Sequence, residues 1–281
     1  MKTKVIIFML FGIAGLILTG CNNKKQYRPD ANIVSAMNAK YPKATKIEWE
    51  KKHNYEVAEY YENGVSSKAW FDKNGKWVMT DSDLKYSGLP GAIRNTFEKS
   101  MYGNWKKGDV DKIERYGMQP VYVIEVEKEG QDVDLYYTAN GMLVKTVKDG
   151  DRGHDSDFMP LEPAVRDNIM RKYPDASVIE MTDKRGKRYV DILDNGRVKE
   201  VVFDNDNWVS TSWNVDKADV PSAVMTALRG SEYKNYTIDD ITFYESADHS
   251  YYQIKMNEGS KEKKINVDAV SYTHLTLPTN S

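Results

Sequence analysis

A 66-residue period runs through the chain and constrains its fold more than any other feature. Isoleucines stand at Ile47, Ile113 and Ile179, each 66 residues from the last, and Ile241 follows 62 residues further on. A glycine precedes an aromatic residue by seven positions in three successive copies, Gly64 to Phe71, Gly130 to Tyr137 and Gly196 to Phe203. A spacing kept at two separate landmarks marks tandem structural units and fixes the register of the repeat. The period predicts a repeated fold; it names no ligand.

Each unit opens on an apolar stripe at four-residue spacing: Ile33, Met37 and Tyr41; Ile93, Phe97 and Met101; Val165, Ile169 and Tyr173; Val220, Val224 and Leu228. That spacing places the members on one face of a short helix. Pro29, Pro90, Pro163 and Pro221 stand near the starts, where a missing backbone donor costs little. Pro42, Gly103, Pro174 and Gly230 stand near the ends. Three or four strands follow each helix. The first holds one of the four isoleucines, with Trp49, Arg115, Met181 or Phe243 two residues later on the same face. Asn63-Gly64, Glu129-Gly130 and Asn195-Gly196 mark tight hairpins, and Lys73-Asn74-Gly75, Asn140-Gly141 and Asp206-Asn207 mark the next turns. The expected fold class is α+β: tandem units of one helix plus a three- or four-stranded antiparallel meander, each helix lying across its own sheet.

Units one and three match most closely, Lys40-Tyr41-Pro42 with Lys172-Tyr173-Pro174 and Phe71-Asp72 with Phe203-Asp204. The pattern is a doubled pair, with the Gly-, Asp- and Ser-rich stretch from 149 to 160 as the linker. Lys40-Tyr41-Pro42, Ile47-Glu48-Trp49, Asn63-Gly64, Trp70-Phe71-Asp72, Asn74-Gly75 and Leu89-Pro90 together resemble the PepSY-like, beta-lactamase-inhibitor-like domains of exported bacterial proteins, common in gut Bacteroidetes. The likeness extends from about Ala31 to Val267. It implies that two helix-plus-sheet units make one domain, giving a first domain over 31–148 and a second over 161–269. It also implies binding or inhibition of exported proteins, and it carries over no catalytic residue. Residues 270–281 depart from the pattern. They resemble translated adapter sequence, which would leave the last sheet without its closing strand and with an unprotected edge.

The N-terminal residues supply a location. Lys2 and Lys4 precede an apolar run from Val5 to Leu18, which ends in Leu18-Thr19-Gly20-Cys21. The run is short of the roughly 20 residues that a span needs, and suits a signal peptide over 1–20. Cys21 is the only cysteine, so no internal disulfide can form, and its place after small residues assigns it to lipidation. Acyl chains there would anchor the protein at about 0.8 kcal/mol per buried methylene. Residues 21–30 read as a tether. No aspartate follows Cys21 directly and no acidic run is present, which points to the outer membrane on its periplasmic side.

Charged residues make up 29% of the chain at a net charge of −2, so neither nucleic acid nor an anionic surface is implied as a partner. His53, His154, His249 and His274 are scattered over different segments, and no metal-binding pair, phosphate loop or nucleophile elbow is present. Asp149, Asp151, Asp155 and Asp157 lack the spacing of a calcium loop and read as solvated linker. Lys184-Arg185-Gly186-Lys187-Arg188 reads as a solvated hairpin turn. The chain is therefore assigned no catalytic residue, cofactor or metal. Aromatic residues are more informative. If Phe71, Tyr137 and Phe203 face the helices, then Trp70, Tyr136 and Val202 face the other side of the sheet. They are the candidate partner-binding residues if that side is open, and packing residues if strands or the other domain cover it. Trp77 and Trp208 recur with the repeat and read as structural. The expected function is that of a non-catalytic, lipid-anchored envelope protein that binds a protein or peptide through open sheet faces, in one form by inhibiting an exported hydrolase. The alternative is a structural or envelope-stress lipoprotein with no defined ligand.

Overall fold

In the computed structural model the described residues are 27–148 and 158–269, together with the backbone of Leu275–Thr276. The expected signal peptide, Cys21, residues 149–157 of the expected linker and all but those two residues of the 270–281 tail lie outside them.

The chain runs α1 (Ala31–Lys40), β1 (Thr45–Lys52), β2 (Tyr55–Glu62), β3 (Val65–Asp72) and β4 (Trp77–Asp83), then α2 (Gly91–Lys99), β5 (Lys106–Arg115), β6 (Val121–Lys128), β7 (Gln131–Thr138) and β8 (Leu143–Lys148). The second half repeats the order with α3 (Pro163–Lys172), β9 (Ser177–Lys184), β10 (Lys187–Asp194), β11 (Arg197–Asp204) and β12 (Asn207–Asn214). It closes with α4 (Ser222–Arg229), β13 (Thr237–Ser246), β14 (Ser250–Glu258), β15 (Lys261–Asp268) and the two-residue β16 (Leu275–Thr276). Strands pair with their sequence neighbours throughout, giving two antiparallel sheets, β1–β8 and β9–β16. Such meanders need only tight turns. Asn63 and Gly64 sit at φ 52° and 80°, and Asn195 and Gly196 at 49° and 76°. Two successive positive φ angles define the hairpin turn whose twist suits antiparallel strands. β16 pairs with β15 through Asn266–Thr276 and Val267–Leu275, so the expected bare edge is covered over that stretch.

Every helix lies on one face of its sheet and buries the residues its stripe predicts. Ile33 and Met37 meet Ala58, Ala69 and Phe71; Ile93 and Phe97 meet Ile124, Leu135 and Tyr137. Val165 and Ile169 meet Val190, Val201 and Phe203, while Val224 and Leu228 meet Ile241, Ile254 and Ile265. Each such side chain contributes about 1.5–3 kcal/mol on leaving water. Met101 is an exception: α2 ends at Lys99, and Met101 is 78% exposed.

The 66-residue period holds at the hairpins but breaks at the first strand of each unit. Ala58, Ile124 and Val190, spaced by 66, pair with Trp49, Val110 and Met181 respectively, and Ile254 pairs with Ile241. Trp49, Val110, Met181 and Ile241 therefore share the helix side, whereas Ile113 and Ile179 join a core on the opposite face. The four isoleucines are thus not structural equivalents. Bulges in the first strand of each unit shift the register, and a shift of one residue turns a side chain to the other face.

That opposite-face core joins the two halves. Val57, Trp70, Met79, Ile113, Val123 and Tyr136 of the first sheet bury Ile179 of the second half, with Phe158, Met159, Leu193 and Val198 packed against them. Arg115 donates from Nη1 to the Val178 carbonyl at 3.0 Å, and the Tyr55 hydroxyl donates to the Leu161 carbonyl at 3.2 Å.

Candidate functional site

Trp70 and Tyr136 do face away from the helices, as alternation requires, but both are 0% exposed. The reading of an open aromatic face there is corrected: the edge of the second sheet covers it, and the alternative, packing against the other domain, is the arrangement found. Burying Trp, Tyr, Ile, Met and Val against Ile179 is a large apolar gain that no solvated face could match. Val202, also on the helix-free side, is 8% exposed and pairs with Tyr189 and Ser210.

The helix-free face of the second sheet is more open. Directly paired residues share a face, and one row crosses seven strands: Glu180, Asp191, Glu200, Ser212, Tyr244, Tyr251 and Asp268. Its far half is aromatic. Tyr244 and Tyr251 stack with centroids 5.0 Å apart and planes 11° from parallel, and His249 stacks on Tyr251 at 5.7 Å. Both tyrosines remain partly exposed and His249 is exposed. Burial, then Tyr251 and Glu200, raise the Tyr244 pKa, so its hydroxyl stays protonated and able to donate at neutral pH.

The near half of the row is charged and forms the floor of a cleft of about 790 Å³ between the two halves. Lys145, Thr146 and Val147 of β8 form one wall, Tyr189 lies beside the floor, and Lys184 and Arg185 of the β9–β10 turn stand at the rim. Lys145 binds both Glu180 and Asp191. Burial alone would lower the Lys145 pKa, but Asp191 and Glu180 outweigh it and the net shift is upward, so the ammonium is kept. Glu200 reaches solvent at the mouth. Crowding by the cleft walls, then Asp191, raise its pKa, while Lys145 and Lys184 pull it the other way. The basic run at 184–188 does form the expected turn, with Arg188 turned to Asp183 at 2.9 Å and to Glu162.

Sequence reasoning missed this surface, although a signal for it exists. Glu180 and Asp191 are equidistant from the Arg185-Gly186 turn, and Asp191 and Glu200 are equidistant from Asn195-Gly196. Two-residue hairpins place such pairs opposite each other, so three carboxylates in line follow from the turns alone. Lys145 was not findable in this way, because it comes from the other sheet. Among the described residues, no group of three His, Cys, Asp or Glu side chains is placed to hold a metal ion, and no helix is long and apolar enough to cross a membrane.

A family model described as beta-lactamase-inhibitor-like, PepSY-like matches residues 54–145 and 186–270, together more than half of the chain. Among solved structures, a BLIP-like protein from Bacteroides fragilis is 34% identical, with a TM-score of 0.45, covering 48% of this chain and 96% of its own. A DUF2874 family protein from Bacteroides ovatus is 32% identical, with a TM-score of 0.42, covering 46% of this chain and 93% of its own. No curated protein matches.

Proposed function

The chain belongs to the beta-lactamase-inhibitor-like, PepSY-like family, and on that premise we propose that it is a non-catalytic envelope protein that binds a protein or peptide partner on the helix-free face of its second sheet. One observation carries the reading. In the first sheet the same face already receives polypeptide, since Ile179, Leu193 and Val198 from the β9–β11 edge are seated against Trp70 and Tyr136. The second sheet presents Tyr244 and Tyr251 partly exposed in the centre of its corresponding face, with Ser212 and Glu200 beside them. Rigid aromatic rings with polar tips suit a contact surface, because they bury area with little loss of conformational freedom. Family membership supports binding in place of catalysis. Inhibition of an exported hydrolase, by covering its active site, is the specific form we favour. Lipid attachment at Cys21, with the protein held on the periplasmic side of the outer membrane, completes the proposal and rests on the Leu18-Thr19-Gly20-Cys21 sequence.

The experiment is capture from envelope extract by the mature chain and by its Tyr244→Ala, Tyr251→Ala double variant, with each captured hydrolase assayed in the presence of both. Loss of capture by the variant at an unchanged melting temperature supports the surface. Equal capture by both proteins would reject it and leave a structural lipoprotein as the better account.

A further inference from the structure

Arg115 ends β5 on the helix-free face of the first sheet, in the row Trp70, Met79 and Arg115. The corresponding row of the second sheet, Val202, Ser210 and Ser246, ends on a serine, so the repeat itself asks for no charge at this place. The second half nevertheless closes over Arg115 and leaves it 7% exposed. A guanidinium taken out of water is costly unless a counter-charge and a full set of acceptors meet it. Arg115 has neither. Among the described residues its one hydrogen bond runs from Nη1 to the Val178 carbonyl at 3.0 Å, no carboxylate forms an ion pair with it, and Nε is buried without an acceptor. Burial pulls its pKa down to about 10 against the opposing field of Asp81, so the group is still a cation at neutral pH.

A cavity of about 10 Å³ lies against this side chain, lined by Arg115, Val78, Tyr116, Met118, Pro160, Leu161 and Arg166. That is room for one occupant about the size of a water molecule, and too little for a carboxylate side chain together with the chain that carries it. Arg166 brings a second guanidinium to the wall. Its Nε and Nη2 donate to Asp167 Oδ1 at 3.0 and 2.8 Å, a bond made at the surface, since Asp167 is exposed. Among the described residues no carboxylate lines the cavity. A water there would accept a hydrogen bond and leave the buried charge unanswered, whereas an anion meets both needs at once. We infer that the cavity is a binding site for a small monovalent anion, a halide such as chloride, held between Arg115 and Arg166. Arg115 belongs to the first half and Arg166 to α3 of the second, so the ion is a tie across the junction. It is separate from the docking face of the second sheet and does not depend on it.

The test compares the mature chain in sodium chloride with the same chain in sodium methanesulfonate at equal ionic strength, the second anion being too bulky for the cavity. Chloride well above its dissociation constant is expected to raise the melting temperature by about 2–4 °C over methanesulfonate. Arg115→Gln should abolish that difference and Arg166→Gln should reduce it. Arg166 reaches the surface, so its variant keeps the test open if Arg115→Gln fails to fold. Crystals grown in sodium bromide then locate the ion by its anomalous scattering, with a peak between the two guanidinium groups as the expected result. A water molecule in the cavity in place of bromide, equal melting in the two salts, or a chloride effect that survives both substitutions would overturn the inference.

Discussion

At the residue scale, Trp70 and Asp111 show how one face of a sheet can impose opposite demands. Trp70 lies where the second half covers the first sheet, and its burial removes it from any partner's reach. Asp111 lies on the same helix-free face, paired across from Val123 and Asp83. Burial, then Asp81, Asp83, Asp109 and Asp134, push its carboxyl up from 3.8 to about 8. Between those values the folded protein holds a proton that the unfolded chain has released. Stability from this group is therefore full below pH 3.8 and falls as pH rises towards 8. Asp111→Asn mimics the protonated form, so it should stabilise the protein by about 1–2 kcal/mol at pH 8 and leave it unchanged below pH 4. Urea denaturation of both proteins across that range measures the effect. A parallel pH dependence in the two would show that Asp111 is ionised in the fold at neutral pH.

At the element scale, the turns decide both what was legible and what can be broken. Asn63-Gly64 and Asn195-Gly196 announced their hairpins, and with them the pairing that puts Phe71 and Phe203 under helices. Helix stripes were legible for the same reason: period alone fixes a face. The first strands were not, because bulges near Lys46, Asp109 and Asp239 leave no periodic trace and turn Ile113 away from the helix side. The charged cleft was legible only as far as two-residue turns could carry it, to Glu180, Asp191 and Glu200, since the Lys145 wall is a tertiary fact. Gly141, in the β7–β8 turn, adopts φ +90°, and a Cβ there would stand 2.7 Å from the Ala92 carbonyl carbon and oxygen. That turn seats the start of α2. Gly64, at φ +80°, faces open space. Gly141→Ala should thus cost about 2–4 kcal/mol, strain and clash together, against about 1 kcal/mol for Gly64→Ala, where only the left-handed backbone is strained. Equal losses in thermal melts of the two variants would mean that α2 moves aside freely.

At the scale of the whole molecule, two domains that each carry helix-side cores also share a third core between them. Ile179 is 0% exposed and is the second half's buried contribution to a cluster otherwise built on the first sheet. Arg115 to the Val178 carbonyl, Tyr55 to the Leu161 carbonyl and Lys145 to Glu180 and Asp191 add polar ties across the same junction. Removing a lysine that binds two enclosed carboxylates would leave them uncompensated, so these ties resist separation even though their net contribution to stability is modest. A junction of this kind couples the unfolding of one half to the other, because opening it exposes Trp70, Tyr136 and Ile113 together. The intact chain should melt in a single calorimetric transition. Ile179→Asp places a carboxylate in an apolar core without a partner, at a loss of about 3–5 kcal/mol, and the loss falls on the junction and not on the four helix-side cores. Two resolved transitions are expected from that variant, the earlier one accompanied by exposure of Trp70 fluorescence to solvent quenchers. A single transition merely shifted to lower temperature would mean that the halves are held together by contacts outside this core. In that event Lys145 and Arg115, and not the aliphatic seam around Ile179, would be the residues through which the two sheets behave as one.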